Sequence, residues 1–422
     1  MTRCFSIGWK DKTRYLCTVQ SDEFEYTLND DDIARYPVSP RRSAKLLRIN
    51  PQGGFEHGTF EDLPKYLKDI GCDGLWANET KVIQARLYLR KPTGGRLEIF
   101  LLEPVDVVPE VALSAVQTSS WRCLVRGGNK WTAETASIVT DGLTLHASPI
   151  DPAAGLIRED GGSFQLTFTW TGALSFADVL EKLGRMPLPP YMQRDSDIND
   201  ANDYQTVFAR LPGSVAAPTA GLHYDDHLLT KLADQDLALS RLTLHVGAGT
   251  FRPLSEGDIS DHTMHAERCI VTRDILENLA STRKRVATGT TTLRTLESLF
   301  WMAVVHMETG EFPETLGQWI PYNEDHSQSR DVVFASYEAS MRYLLNNAPL
   351  DSPWDFKTQI MIKPGYKIQS VIGLVTNFHQ PGSTLLCLIA AFSSKPWRDV
   401  YAEAIEKKYR FLSYGDGCLF EL

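Results

Sequence analysis

The sequence predicts a mixed α/β protein whose main domain is interrupted by a small all-β module. Two changes of texture point there. Between about 86 and 172, short β-branched or alternating runs are separated by Gly, Pro and Asp; after that, helical periods alternate with short apolar strands. The chain has 422 residues, of which 43% are hydrophobic and 23% charged, an ordinary globular composition with length for two or three domains.

The elements follow in order. The text is mixed up to residue 85, and then "RLYLR", "RLEIFLLEPV", "WRCLVRGG", "ASIVTDGLTLHAS" and "FQLTFTW" read as the strands of the β module. From "SFADVLEKLGRM" onward, "DDHLLTKLADQ" and "RDILENLASTRKR" have helical period, while "LSRLTLHV", "RVATGT" and "GLVTNF" read as strands. Residues 308–357 break this rhythm with acidic, Pro- and Trp-bearing text and are expected to be an insertion. The expected division is therefore 1–85 plus 173–422 as the α/β domain, with 86–172 as the β module.

Composition narrows the function. The seven cysteines, Cys4, Cys17, Cys72, Cys123, Cys269, Cys387 and Cys418, contain no C-x-x-C pair, so neither a disulfide framework nor a zinc ribbon is indicated and a cytoplasmic protein is expected. Neither a signal peptide nor a membrane span is read. A net charge of −10 argues against coating nucleic acid through a global field, but leaves room for a local basic face. Three clusters offer one: Arg41, Arg42, Lys45 and Arg48; Arg283, Lys284 and Arg285; Lys407, Lys408 and Arg410. For each alone, a solvated face is the plainer explanation.

Several stretches gather small and reactive residues. "TLHVGAGTF" places His245 before Gly247 and Gly249, but it is neither a Walker loop nor a dinucleotide fingerprint. It reads either as a backbone that passes close to a ligand or as a strand-end turn with a core histidine. "AAPTAGLHYDDH" puts Pro218, Thr219, Gly221 and His223 before a helix start at Asp225 or Asp226. "DHTMHAE" carries His262, His265 and Glu267, too few ligands to indicate a metal. "GTTTLRTLE" holds Thr290, Thr291 and Thr292, then Arg294 and Glu297 three residues apart on a helix, where an ion pair alone would explain both charges. "TNFHQPGSTL" offers Asn377, His379 and Ser383, and "YRFLSYGDG" offers Tyr409, Arg410, Tyr414 and Asp416 as stacking surface with charge.

In their order these motifs, together with "RYPVSPRRSAKLL", "HGTFEDL", "VIQARL", "GRMPLPPYM", "YQTVFARLPGSVAAPTAGLH" and "PGYKIQSVIGLVTNFHQPGSTL", closely resemble the S-adenosylmethionine:tRNA ribosyltransferase-isomerases of queuosine biosynthesis. The resemblance runs from Tyr26 to Asp416. The first two dozen residues look like an extension, 308–357 is longer than in compact members, and Glu79, Lys81 and Gln84 depart from the family's Asn-Asn-Thr-Arg-Val-Ile-Pro-Ala-Arg, whereas Asn78, Thr80 and Arg86 match it.

The resemblance implies an α/β-barrel-like main domain interrupted by a small β-barrel. It also implies that S-adenosylmethionine donates its ribosyl unit to 7-aminomethyl-7-deazaguanine at the tRNA wobble position, giving epoxyqueuosine and releasing adenine and methionine without a metal. Such chemistry asks for a base to remove a C5′ proton made acidic by the sulfonium, a proton donor for adenine, and a cradle for the methionine carboxylate. His245 or His223 is expected as the base, with His262, His265 and Glu267 as proton donor and sugar-hydroxyl binder. Thr219, Gly221, Gly247, Gly249, Thr290 and Arg294 are expected around S-adenosylmethionine, with Asn377, His379, Tyr414 and Asp416 completing the pocket or gripping the base. Arg41, Arg42, the Arg283–Arg285 run and the Lys407–Arg410 cluster are expected to form one face for the tRNA phosphates, on a monomeric enzyme. Two other classes compete: a metal-dependent hydrolase around His262, His265 and Glu267, and a non-catalytic RNA-binding protein.

Overall fold

The computed structural model describes residues 19–127, 131, 134–140, 142–151, 153–159, 162–247, 249, 253–323, 334–393 and 395–422. Four strands come first: β1 (Lys45–Ile49), β2 (Phe55–Thr59), β3 (Gly74–Asn78) and β4 (Thr80–Val82). A second group follows, β5 (Arg86–Arg90), β6 (Arg96–Pro104), β7 (Thr118–Arg126), β8 (Ala136–Thr140), β9 (Leu143–Pro149) and β10 (Phe164–Trp170). The rest are β11 (Leu211–Ser214), β12 (Leu239–His245), β13 (Glu267–Val271), β14 (Arg285–Thr288), β15 (Thr315–Leu316), β16 (Trp354–Thr358), β17 (Gly373–Asn377) and β18 (Gly417–Glu421).

The second group closes into a six-stranded antiparallel barrel in the order β10-β7-β6-β5-β8-β9, β5 meeting β8 at Arg90 and Ser137. Its alternating sequence explains the closure: Leu87, Leu89, Leu97, Ile99, Leu145, Leu166 and Phe168 are all fully buried inside, while the residues between them face outward. In the connection from β6 to β7, Pro109 opens a short helix, Pro109–Ser114, that turns toward the main sheet.

The main sheet is mixed and has ten strands, in the order β15-β16-β13-β12-β3-β14-β17-β18-β1-β2. Its centre, β12-β3-β14-β17, is parallel throughout. Covered on both faces, β3, β14 and β17 bury every residue, which is why "GLWAN", "RVAT" and "GLVTN" do not alternate. A consequence for function follows from direction. The carboxyl ends of the four parallel strands, at His245, Asn78, Thr288 and Asn377, lie at one end of the sheet, where open α/β sheets bind ligands. Because β17 is antiparallel to β18 and β18 parallel to β1, the amino ends of β18 and β1 lie there too, with Gly417 opposite both Asn377 and Leu46.

β14 passes through Gly289, held at φ +90°, into the helix Thr290–Thr309, whose residues from Thr290 to Val305 are all buried. A helix buried all round is a core element. Burying each of its leucines contributes roughly 1.5–3 kcal/mol. The stretch 308–357 is built into the sheet rather than standing apart from it: β15 and β16 form one edge, and Tyr337, on the helix Tyr337–Asn347, donates its hydroxyl to Leu296 O at 2.9 Å. Residues 324–333 lie outside the described set. Among the described residues no helix is long and apolar enough to cross a membrane.

Candidate active site

A two-lobed cleft opens over the carboxyl ends of the parallel strands. The larger lobe encloses about 680 Å³ and is lined by Tyr191, Thr219, Thr290, Asn377, His379 and Ser383, among others. The smaller, about 490 Å³, is lined by Gly249, His262, His265, Glu267 and Arg294. Leu385, in the first turn of the helix Thr384–Phe392, belongs to both walls.

In the larger lobe, Thr219 donates to Asn377 Oδ1 at 2.8 Å, and Asn377 Nδ2 donates to His223 Nε2 at 3.0 Å. His223 lies behind the cleft wall, stacked on Phe60 with ring centroids 4.2 Å apart. Burial, with Arg410 and Arg41 nearby, pushes its pKa down to about 3. Burial does the same to His379, down to about 3, and its Nε2 shares a hydrogen bond with Thr376 Oγ1 at 2.9 Å. Both imidazoles are therefore neutral near pH 7 and already engaged. Asp225 caps the helix Asp226–Ala233 and pairs with Arg42 at 2.8 Å, so the positive end of that helix is already taken by a carboxylate. Gly221 is packed against Phe208 and Thr206, each 2.8 Å from where a Cβ would stand, a close approach of protein to protein.

His245 is the last residue of β12 and is 7% exposed. Its Nδ1 meets Thr80 Oγ1 at 2.9 Å, and Thr80 in turn meets Ser214 Oγ, which accepts from Val246 N, both at 2.7 Å. Gly213 makes room for the ring: a Cβ there would stand 2.7 Å from His245 Cε1, and its φ of +153° disfavours any side chain. Nε2 is buried without a hydrogen-bond partner among the described residues. It faces Glu110 Oε1 on the barrel's helix at 3.7 Å, an ion-pair distance rather than a formed hydrogen bond.

Register explains this placement. His245 and Arg268 are direct partners across β12 and β13, so their side chains share a face, the one the barrel's helix covers. Glu267, one residue earlier, points to the other face, toward Arg294 of the long helix. The sequence suggested His245 or His223 as a base beside a group of His262, His265 and Glu267; the structure puts His245 on the opposite face of the sheet from Glu267. Arg294 does not pair with Glu297 as its spacing suggested. It pairs with Glu267, and Glu297 accepts instead from Tyr366 and Ser370 hydroxyls, both at 2.5 Å, and from Ser370 N at 2.9 Å. Arg294 Nη2 remains buried without a partner among the described residues, in the wall of the smaller lobe. Gly249 lets the His265 ring pack where a Cβ would collide at 2.1 Å, while Gly247 has open space beside it. Ala248, Thr250 and Phe251 of the same motif lie outside the described residues. No three His, Cys, Asp or Glu side chains among the described residues form a metal-ligand set.

The basic clusters do not share one face. Lys45 Nζ donates to the carbonyls of Lys407 and Lys408 at 3.1 and 2.8 Å, which joins the first and third clusters at the cleft end of the sheet. Arg41 and Arg42 are half-buried, and Arg41 reaches Gln205 O and Asn202 O at 2.7 Å. Arg410 pairs with Asp416 at 3.4 Å. Arg283 and Lys284 precede β14, and so lie at the opposite end. Two residues expected to touch tRNA are internal. Arg285 is 2% exposed and binds Glu338 at 2.7 Å and Ser370 O at 2.7 Å; Tyr414, also 2% exposed, donates to Asp200 at 2.9 Å. Neither has a polar group to offer a phosphate or base.

Sequence reasoning missed Glu110 and Arg268, because nothing local in "VPEVALS" marks a contact with a strand end far along the chain. Thr80 was visible only as part of a motif. Of the three departures from that motif, Lys81 is exposed and Glu79 faces Arg210 at 3.8 Å, while a Cβ on Gly184 would meet Gln84 O at 2.2 Å.

A chain of this architecture has known relatives. The family model described as "Queuosine biosynthesis protein" matches residues 21–420. The S-adenosylmethionine:tRNA ribosyltransferase-isomerase of Pelobacter propionicus is 36% identical over 406 residues, covering 94% of this chain and 99% of the relative. The protein of the same name from Moorella thermoacetica is 36% identical over 407 residues, covering 94% and 98%. A crystal structure of S-adenosylmethionine tRNA ribosyltransferase from Thermotoga maritima is 25% identical and covers 94% of this chain and 99% of its own, with a TM-score of 0.42. Matched over nearly its whole length by the family model and by relatives above 30% identity, the chain belongs to the queuosine biosynthesis protein family.

Proposed function

We propose that the protein transfers and isomerises the ribosyl unit of S-adenosylmethionine onto 7-aminomethyl-7-deazaguanine at the tRNA wobble position, releasing adenine and methionine. The observation that carries this reading is the near full-length likeness to ribosyltransferase-isomerases, joined to a polar cleft at the carboxyl ends of the parallel strands. The orphaned Arg294 Nη2 fits a carboxylate, and we assign it the methionine carboxylate of the donor. Thr219, Thr290 and Asn377 hold the sugar hydroxyls, with His265 near the leaving adenine.

His245 takes the place of the base. His223 and His379, at about 3, are weak acceptors whose Nε2 atoms are occupied, whereas His245 Nε2 is buried and has no hydrogen-bond partner among the described residues, as a group that awaits a substrate would be. Arg41, Arg42, Lys407, Lys408 and Arg410 receive the tRNA phosphates at the cleft end. The reading includes a division into 1–85 plus 173–422 and 86–172, supported by the separate barrel sheet, and an α/β-barrel-like main domain, supported by its parallel centre. The reading includes a monomeric enzyme, placed with its tRNA in the cytoplasm.

The test is to incubate the protein with S-adenosylmethionine and tRNA carrying the modified base, following adenine and the nucleoside mass. Adenine release with epoxyqueuosine is the expected outcome; tRNA binding without donor consumption would instead mark a binding protein.

A further inference from the structure

We propose that the small barrel takes part in the chemistry: its Glu110 is a positioning carboxylate that holds the Nε2 side of His245 and stabilises the imidazolium formed when His245 takes a proton. This rests on the reading of His245 as the base. The ring is fixed from one side by Thr80 at Nδ1 and underlain by Gly213, and Glu110 stands 3.7 Å from Nε2, near enough to pair with an imidazolium yet beyond a formed hydrogen bond, which leaves the Nε2 lone pair to the substrate proton. The carboxylate is itself held in place. Arg268 Nη1 donates to both of its oxygens, at 2.9 and 3.0 Å, and Arg268 is braced by Asp355 at 2.6 Å.

Charge explains why such a group would be built. Thr80 and Gly213, which meet the ring from β4 and β11, are uncharged, and the charges beside it are Glu110 and, holding Glu110, Arg268 with Asp355 behind. Two carboxylates and one guanidinium leave one negative charge. An imidazolium at 245 completes a neutral group with these three side chains. The proton moves from the substrate carbon to Nε2, the electron pair stays with the carbon, and Glu110 remains ionised throughout. Glu110 comes from the connection between two barrel strands, so proper docking of the barrel becomes a condition for a competent base.

The experiment follows the His245 ring proton by NMR against pH in the intact protein, assigned with His245→Gln. In Glu110→Gln the titration midpoint should fall by about 0.5–1 pH unit, and in Arg268→Gln, which frees Glu110 for the histidine, it should rise. The acid limb of adenine release should move with the midpoint in each variant, with kcat reduced roughly tenfold in Glu110→Gln and KM little changed. An unchanged midpoint in both variants overturns the proposal. Midpoints that move while the acid limb stays fixed support the hold of Glu110 on the ring and overturn instead the reading of His245 as the base.

Discussion

Glu267 on β13 and Arg294 on the long helix form a buried ion pair, with side chains 4% and 7% exposed. An ion pair this dry is not a strong source of stability, but breaking it leaves an uncompensated charge in the core. Arg294→Met should therefore lower unfolding free energy by about 3–5 kcal/mol in urea, whereas Arg294→Met with Glu267→Leu should recover most of that loss. If the double variant is as unstable as the single one, the pair is not the reason. Both forms should bind S-adenosylmethionine weakly, since each lacks the guanidinium assigned to its carboxylate.

The same residues show what the sequence could and could not convey. The helical period of "GTTTLRTLE" was legible, and with it the nearness of Arg294 to Glu297, because both belong to one element. The true partner lies on a strand, and strand register is set by tertiary pairing that no local pattern encodes. For that reason the barrel strands, each of which alternates on its own, could be read one by one, while the contact of Glu110 with His245 could not. Arg285 was misread on similar grounds: "RVATGT" reads as a strand that begins at Arg285, but the charged run "RKR" groups this residue with Arg283 and Lys284, whereas it turns inward where those two stay exposed.

That misreading yields a prediction that separates stability from binding. Arg285 binds Glu338 and the Ser370 carbonyl, and lies over the Tyr337 ring at 4.4 Å. Arg285→Ala should cost about 3 kcal/mol or more in denaturant unfolding, and Arg285→Lys should rescue little of it because an ammonium cannot reproduce the planar fork. The salt dependence of tRNA binding should not change, and a shallower slope would show the guanidinium reaching the phosphates after all.

Acid should weaken the fold earlier than its carboxylates alone would dictate. His223 and His379 are held neutral by burial, at about 3 in the folded chain, against about 6.5 when exposed. A depressed folded value means that the unfolded chain binds protons first. The stability each group contributes is then complete above about pH 6.5 and is lost as pH falls toward 3, by at most about 1.4 kcal/mol per unit for each histidine. Chemical unfolding between pH 7 and 4 should show this slope, and His223→Asn should remove about half of it. An identical slope in the variant would mean that His223 charges as readily in the folded chain as in water.

The separation of the basic clusters to opposite ends of the main sheet decides which of them meets tRNA. Lys407 and Lys408 are exposed at the cleft end, whereas Arg283 and Lys284 precede β14 at the far end. A phosphate contact releases about one counterion, so each one lost flattens the plot of log affinity against log salt by about 1. Lys407→Ala combined with Lys408→Ala should weaken tRNA binding at low salt and flatten the slope by about 2, while Arg283→Ala with Lys284→Ala should leave both unchanged. Because these lysines are exposed, neither pair should affect the fold, and S-adenosylmethionine binding in the absence of tRNA should be the same in all three proteins. The reverse pattern, with only the far-end pair flattening the slope, would mean that tRNA approaches the sheet from the end away from the cleft and would separate its binding from the site assigned to the chemistry.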